Sequence, residues 1–171
     1  MAAAILGLLF VKLYPSSLIK NLKPKAENPI PVLTSEIKAA QEELFVPTQI
    51  VVPTIGINLA VAPGIIKDNQ WTLYDDKVAW LSTSQTLGDG NVIIYGHNRS
   101  AILGQLSKLN IGDEITVKSN SRDFTYQVAE KRAISPEDVG AIISDKQQLT
   151  LYTCDGTFDQ KRLIVISYPK G

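Results

Sequence analysis

An all-β fold, an eight-stranded closed barrel with short helices, is expected for residues 47–171, and three observations carry it. Beyond Pro47 the chain breaks into short runs rich in branched and aromatic residues, the composition that fits a pleated, half-buried surface. Turn-forming groups separate the runs: Gly88-Asp89-Gly90, Gly112-Asp113, Asn120-Ser121 and Asp155-Gly156. The runs number eight, which suits a sheet that closes on itself and so removes its own edges.

Taken in order, strands are expected at 49–55, 57–61, 78–82, 91–95, 114–118, 124–133, 149–153 and 162–168. After His97 the spacing of Ile102, Leu103, Leu106 and Leu109 predicts one or two helical turns. Ahead of the barrel, Thr34 or Ser35 offers a helix N-cap with Glu36 in the first turn, and Ile37, Ala40 and Leu44 recur at helical spacing up to Phe45. A short helix there packs on the barrel or shields its site. The stretch from Pro24 to Pro31 has three prolines with a lysine, a glutamate and an asparagine, the composition of an extended linker. Residues 1–22 are mostly apolar, interrupted by Lys12, Pro15, Ser16 and Ser17, and the lysines follow the apolar run rather than precede it. The organisation read from this is an apolar N-terminal segment over 1–22, a linker with a short helix over 23–46, and one β-rich domain over 47–171.

Composition narrows the functional classes. Lys plus Arg and Asp plus Glu are each 17, so no net field recruits nucleic acid or an anionic surface, and recognition must be local. One cysteine forms no internal disulfide, and one cysteine with one histidine falls short of a four-ligand Cys/His zinc site. No metal or cofactor is called for. Cys154 and His97 are each unique in the chain and each closes a strand pattern, so a thiol and an imidazole are expected at one end of a sheet. Because side chains alternate along a strand, Thr150, Tyr152 and Cys154 share one face and Leu149 and Leu151 the other. Tyr152 then lines the wall that carries Cys154. Arg162 shares a face with Ile164 and Ile166, and the seven residues between Cys154 and Arg162 suffice for a loop that returns the chain antiparallel.

The chemistry asks for these residue types. A lone cysteine is ordinarily a small buried hydrophobe. Beside an imidazole it becomes a nucleophile, because the thiolate is the reactive form. A guanidinium is charged at any working pH and can stabilise the oxyanion of a tetrahedral intermediate. A single histidine can protonate the departing amine and then deprotonate the incoming one.

Thr150-Leu-Tyr-Thr-Cys154 resembles the Thr-Leu-x-Thr-Cys signature of the sortase family, enzymes that attach proteins to the Gram-positive cell surface. His97 in Tyr95-Gly-His-Asn98 is similar to the sortase histidine, and Arg162 to the sortase arginine, in the expected order. The resemblance covers roughly 47–169. It implies a cysteine transpeptidase with His97, Cys154 and Arg162 as its catalytic residues. Such an enzyme cleaves a motif of the Leu-Pro-x-Thr-Gly kind, holds the threonyl thioester on the cysteine and passes it to an amine of a cell-wall precursor or a pilin lysine, with hydrolysis when no amine is present. It also implies that 135–146 builds the pocket for the apolar part of the motif, with Val139, Ile142 and Ile143 as walls beside Tyr152. The short connection before the cysteine strand argues against class B, and no Asp-Pro-Trp or Asp-Pro-Phe lid precedes the barrel as in pilin-polymerising enzymes, so classes A, D and E are favoured over B and C. An extracellular catalytic domain requires that 1–22 be an uncleaved, single-pass membrane anchor whose start lies upstream of Met1, since the lysines after it would otherwise hold the rest of the chain in the cytoplasm. The alternatives are a different cysteine transpeptidase or hydrolase, such as an L,D-transpeptidase, whose Ser/Thr-x-Gly-Cys-x-Arg context Cys154 lacks, and a catalytically silent surface-binding barrel.

Overall fold

The computed structural model of the protein describes residues 35–37, 39–40 and 45–171. Ser35, Glu36, Ile37, Ala39 and Ala40 are helical, in keeping with the helix expected from Ser35 onward, and Ile37 is exposed. The other residues of the expected helix, the expected linker and the apolar segment 1–22 lie outside the described residues. Among the described residues no helix is long and apolar enough to cross a membrane.

Ten strands occur among the described residues: β1 (Gln49–Val52), β2 (Ile57–Gly64), β3 (Ile66–Lys67), β4 (Gln70–Trp71), β5 (Val78–Leu81), β6 (Asn91–Gly96), β7 (Glu114–Lys118), β8 (Asp123–Ile134), β9 (Gln148–Asp155) and β10 (Lys161–Pro169). Eight of them close into a barrel in the order β1-β2-β5-β6-β9-β10-β8-β7, with β7 paired back to β1. Each expected strand is present. The first is shorter than expected, because Pro53 starts a 3-10 turn, Pro53–Ile55, which Gly56 ends in the left-handed conformation at φ 70°. After His97 the four spaced apolar residues, 0–2% exposed, plug the barrel through turns and a 3-10 helix, Leu106–Lys108. The hairpin β3–β4 was not anticipated. Its two-residue tip, Asp68 and Asn69, has φ of 51° and 60°, the left-handed pair of a tight hairpin turn, which short polar side chains tolerate.

Two pairs in the barrel are parallel, β2–β5 and β6–β9, and the rest are antiparallel. The parallel pair β6–β9 is fixed from its start, where Gln148 N–H donates to Gly90 C=O at 3.0 Å and Gln147 Nε2 to Gly88 C=O at 2.6 Å. Its register runs from Asn91 opposite Gln148 to Gly96 opposite Thr153.

The apolar residues form two clusters, one on each face of the same strands. Val92 and Ile94 of β6, Leu149 and Leu151 of β9, and Val165 of β10 point into the barrel. Their neighbours Ile93 and Tyr95, Tyr152, and Ile164 and Ile166 form a second cluster on the outer face. Trp71 and Tyr74 cover that outer face from one side, and Val139, Ala141 and Ile142 of the β8–β9 connection cover it from the other. Burial on both faces explains why β5 and β6 read as nearly continuous apolar runs without polar alternation.

The β8–β9 connection is tied down by a buried polar chain. Asn91 Nδ2 donates to Ile142 C=O at 2.8 Å, Thr150 Oγ1 donates to Asn91 Oδ1 at 2.8 Å, and Gln148 Nε2 donates to Thr150 Oγ1 at 3.0 Å. Asn91, Gln148 and Thr150 are all buried. Replacing Asn91 with Leu strands the Ile142 carbonyl and takes the acceptor from the Thr150 hydroxyl proton, whose oxygen still accepts from Gln148, and a buried polar group left unpaired costs about 1–3 kcal/mol. Asn91→Leu is therefore expected to lower the urea midpoint by that amount of stability, with an unchanged denaturant slope. A midpoint equal to the parent's would contradict this account of the network.

Candidate active site

The ends of β6, β9 and β10 meet at one end of the barrel. Cys154 lies directly opposite Arg162 in the antiparallel register of β9 and β10. His97 is the first residue after β6, whose last residue Gly96 is paired with Thr153, so the chain leaves β6 at His97 alongside the position of Cys154 in β9. Neighbouring strands lie about 4.8 Å apart, and the register sets the imidazole-bearing and thiol-bearing residues side by side. Thr153 strengthens that junction: its hydroxyl donates to the carbonyl of Gly96, the residue before His97, at 2.9 Å. The His97 carbonyl in turn accepts from Leu103 N–H at 3.1 Å, which pins the turn leaving β6.

A cavity of about 440 Å³ opens at this end of the barrel. Tyr95, Gly96, Tyr152 and Thr153 form its strand side, with Cys154 and Arg162 at the strand ends. The β3–β4 hairpin contributes Asn69 and Trp71, the segment that follows it contributes Leu73, and the β8–β9 connection contributes Pro136, Glu137 and Val139. Cys154 is half-buried and free, accessible from this cavity. His97 is half-buried next to the lining residue Gly96 and is not itself part of the lining.

Of the expected wall residues, Tyr152 and Val139 line the cavity. Ile142 and Ile143 do not. Ile142 is 2% exposed within the outer-face cluster, where the Asn91 bond to its carbonyl draws the chain inward. Ile143, one residue on and 74% exposed, lies over a separate shallow depression with Leu81 and Ile93. Sequence reasoning missed Trp71, Asn69, Leu73 and Glu137. The signal available for the first two was the short Ile66-Lys67 and Gln70-Trp71 pair around Asp68-Asn69, two residues that tolerate a left-handed turn.

Burial pushes the Cys154 thiol above its usual pKa; the Arg162 guanidinium opposes this, and Asp159 adds to it. Burial thus favours the thiol over the thiolate at this position. Arg162 is held in place by its own backbone surroundings, with Nη1 donating to Asp159 C=O at 2.7 Å and Lys161 C=O at 2.9 Å. Burial also raises the Tyr152 hydroxyl, again against the pull of Arg162, so the phenol stays neutral beside the guanidinium. Glu137 stays ionised: its carboxylate accepts from the Ser135 hydroxyl and feels Arg162, both of which lower its pKa.

The family model for the sortase domain matches residues 50–170. The chain belongs to the sortase family. It is 29% identical to sortase A of Listeria monocytogenes serovar 1/2a over 80% of this chain and 63% of that protein, and 25% identical to sortase A of Bacillus anthracis over 80% of this chain and 65% of that protein. The chain thus spans less than two thirds of the length of these curated relatives. Among solved structures it is similar to a Clostridium perfringens sortase D5 transpeptidase, with a TM-score of 0.64 at 25% identity, covering 81% of this chain and 89% of that one. The eight-stranded barrel is the sortase fold.

The electrostatics of the thiol give a direct test. A thiol raised by burial and partly offset by a guanidinium should alkylate with an apparent midpoint above that of an ordinary exposed thiol. In Arg162→Ala the offset is gone, so the midpoint moves further up and the rate at pH 8 falls. The pH–rate profile of iodoacetamide labelling at Cys154 reads both, and a midpoint that stays put or drops in Arg162→Ala would refute the assignment of Arg162 as the group that favours the thiolate.

Proposed function

We propose that this sortase is a cysteine transpeptidase that cleaves a Leu-Pro-x-Thr-Gly-like sorting peptide, forms a thioester on Cys154 and transfers the acyl group to an amine of a cell-wall precursor or pilin. The observation that carries the reading is the register at the barrel end, with Cys154 paired to Arg162 and one residue past the Thr153–Gly96 tie that precedes His97. In the proposed reaction His97 takes the thiol proton as the sulfur attacks the scissile carbonyl carbon. Arg162 stabilises the oxygen that gains negative charge, a contribution of about 3 kcal/mol to the barrier where such donors have been removed. The imidazolium then gives its proton to the departing amine as the carbon–nitrogen bond breaks, leaving the thioester. Neutral His97 next deprotonates the incoming amine, which attacks the thioester carbonyl, and the leaving sulfur recovers a proton. Water in place of the amine gives hydrolysis.

The raised thiol pKa suits this sequence, because a proton held on sulfur until His97 removes it is a proton then available to the leaving group. The cavity beside Cys154, with its Tyr152 and Val139 surfaces, suits the apolar residues of such a peptide. Residues 1–22 are proposed as a single-pass anchor that keeps the catalytic domain on the outer side of the cell membrane. A surface-binding barrel without catalysis is the competing reading.

Intact-mass spectrometry after incubation with Leu-Pro-Ala-Thr-Gly decides between them. The wild-type chain is expected to gain the mass of the Leu-Pro-Ala-Thr acyl group on Cys154, and Cys154→Ala to gain nothing. His97→Ala is expected to load at least about a hundredfold more slowly, the range typical of a lost general acid–base. Equal loading with and without His97 would sink the mechanism, and binding without any adduct would favour the silent barrel.

A further inference from the structure

The geometry points to the β3–β4 hairpin as the element that selects the peptide, with Trp71 setting the size of side chain the groove admits. This inference rests on the transpeptidase reading above.

The hairpin pairs with no barrel strand. Ile66 faces Trp71 and Lys67 faces Gln70 in a separate two-stranded sheet. Its stem is closed by Thr72 N–H donating to Ile65 C=O at 3.0 Å and by the Tyr74 hydroxyl donating to Pro63 C=O at 2.7 Å. A two-stranded ladder this short is not stable alone, so side-chain packing must hold it on the barrel. Trp71 supplies that packing. Its ring stacks on Tyr152 with centroids 5.1 Å apart at 16°, and meets Tyr95 edge-on at 4.8 Å and 82°. Tyr95 and Tyr152 are direct neighbours across β6 and β9, and Tyr152 stands two residues before Cys154 on the same face. Tyr95 is kept in place by the absence of a side chain at Gly64, where a Cβ would overlap its hydroxyl and come within 2.9 Å of Ala79 Cβ.

The indole therefore rests on the strand side of the cavity close to the nucleophile, fixed by two rings, and it is only partly buried because it also lines that cavity. A tryptophan that merely filled the core would be closed off from it. Val139 lies on the other wall. A peptide acylated through its carbonyl on Cys154 extends from the sulfur into the cavity, so side chains before the scissile bond pass between Trp71 and Val139. An aliphatic side chain packs on the flat indole, whereas a bulkier aromatic ring meets a wall that two tyrosines prevent from yielding.

The test is a competition for Cys154 in the full chain. Leu-Pro-Ala-Thr-Gly is mixed in equal amount with Phe-Pro-Ala-Thr-Gly, and separately with Leu-Phe-Ala-Thr-Gly, and the acyl adducts are distinguished by intact mass. Wild type is expected to prefer the aliphatic peptide by at least about tenfold at one of the two positions, the scale of discrimination a hydrophobic pocket achieves. Trp71→Ala should erase most of that preference, and Trp71→Phe should shift it in the same direction by less. An unchanged preference in both variants overturns the role of Trp71. Should Trp71→Ala lose its cooperative thermal transition, Trp71→Phe decides the matter by the same ratio. A wild-type chain that acquires no adduct from any of the three peptides refutes the transpeptidase reading, and this inference falls with it.

Discussion

The parallel pairing of β6 with β9 is the constraint on which the site depends. A six-residue strand rising about 3.3 Å per residue spans about 20 Å, so an antiparallel arrangement of the same two strands would set His97 and Cys154 at opposite ends of the barrel. Parallel pairing sends both strand ends the same way, and the antiparallel return into β10 then brings Arg162 to that end as well. Parallel neighbours cannot be joined by a tight turn. The chain between β6 and β9 is accordingly used to build β7, β8 and the loop that forms one side of the groove.

Burial on both faces of β5, β6, β9 and β10 gives that constraint its rigidity. One set of side chains fills the barrel, and the alternate set forms an outer cluster under the hairpin and the β8–β9 connection. A one-residue slip of β9 would exchange the two sets and turn Cys154 away from the groove. The threonines of the Thr150–Cys154 run act on the same register. Thr150 joins the buried chain through Asn91 to the Ile142 carbonyl, and Thr153 ties β9 to the carbonyl before His97. The motif is thus a positioning device as well as the carrier of the thiol. Burial sets the chemistry too, since the same enclosure that shapes the groove holds the proton on sulfur, with Arg162 limiting how far.

Much of the fold was legible because the strands are short, rich in branched residues and punctuated by Gly and Asp. The one strand that ended early did so at Pro53, where ring geometry overrides the apolar run through Ile55. The β3–β4 hairpin escaped notice because two residues per strand give no periodicity to detect, and its stability comes from Trp71 packing on the tyrosines rather than from its own ladder. Ile142 and Ile143 show the reverse problem. Their apolar character was plain, but whether an isoleucine in a connection faces a cavity, the core or solvent depends on a hydrogen bond from Asn91, some fifty residues away.

By itself the sequence determined the barrel class, the number of its strands, the three chemical groups, and which faces Tyr152, Cys154 and Arg162 share, because alternation and turn chemistry are local properties of the chain. Tertiary structure alone decided that β6 and β9 run parallel in one register, that Cys154 sits opposite Arg162, and that an unannounced tryptophan walls the groove. Those outcomes are set by packing between segments far apart along the chain, and no local window of residues contains them.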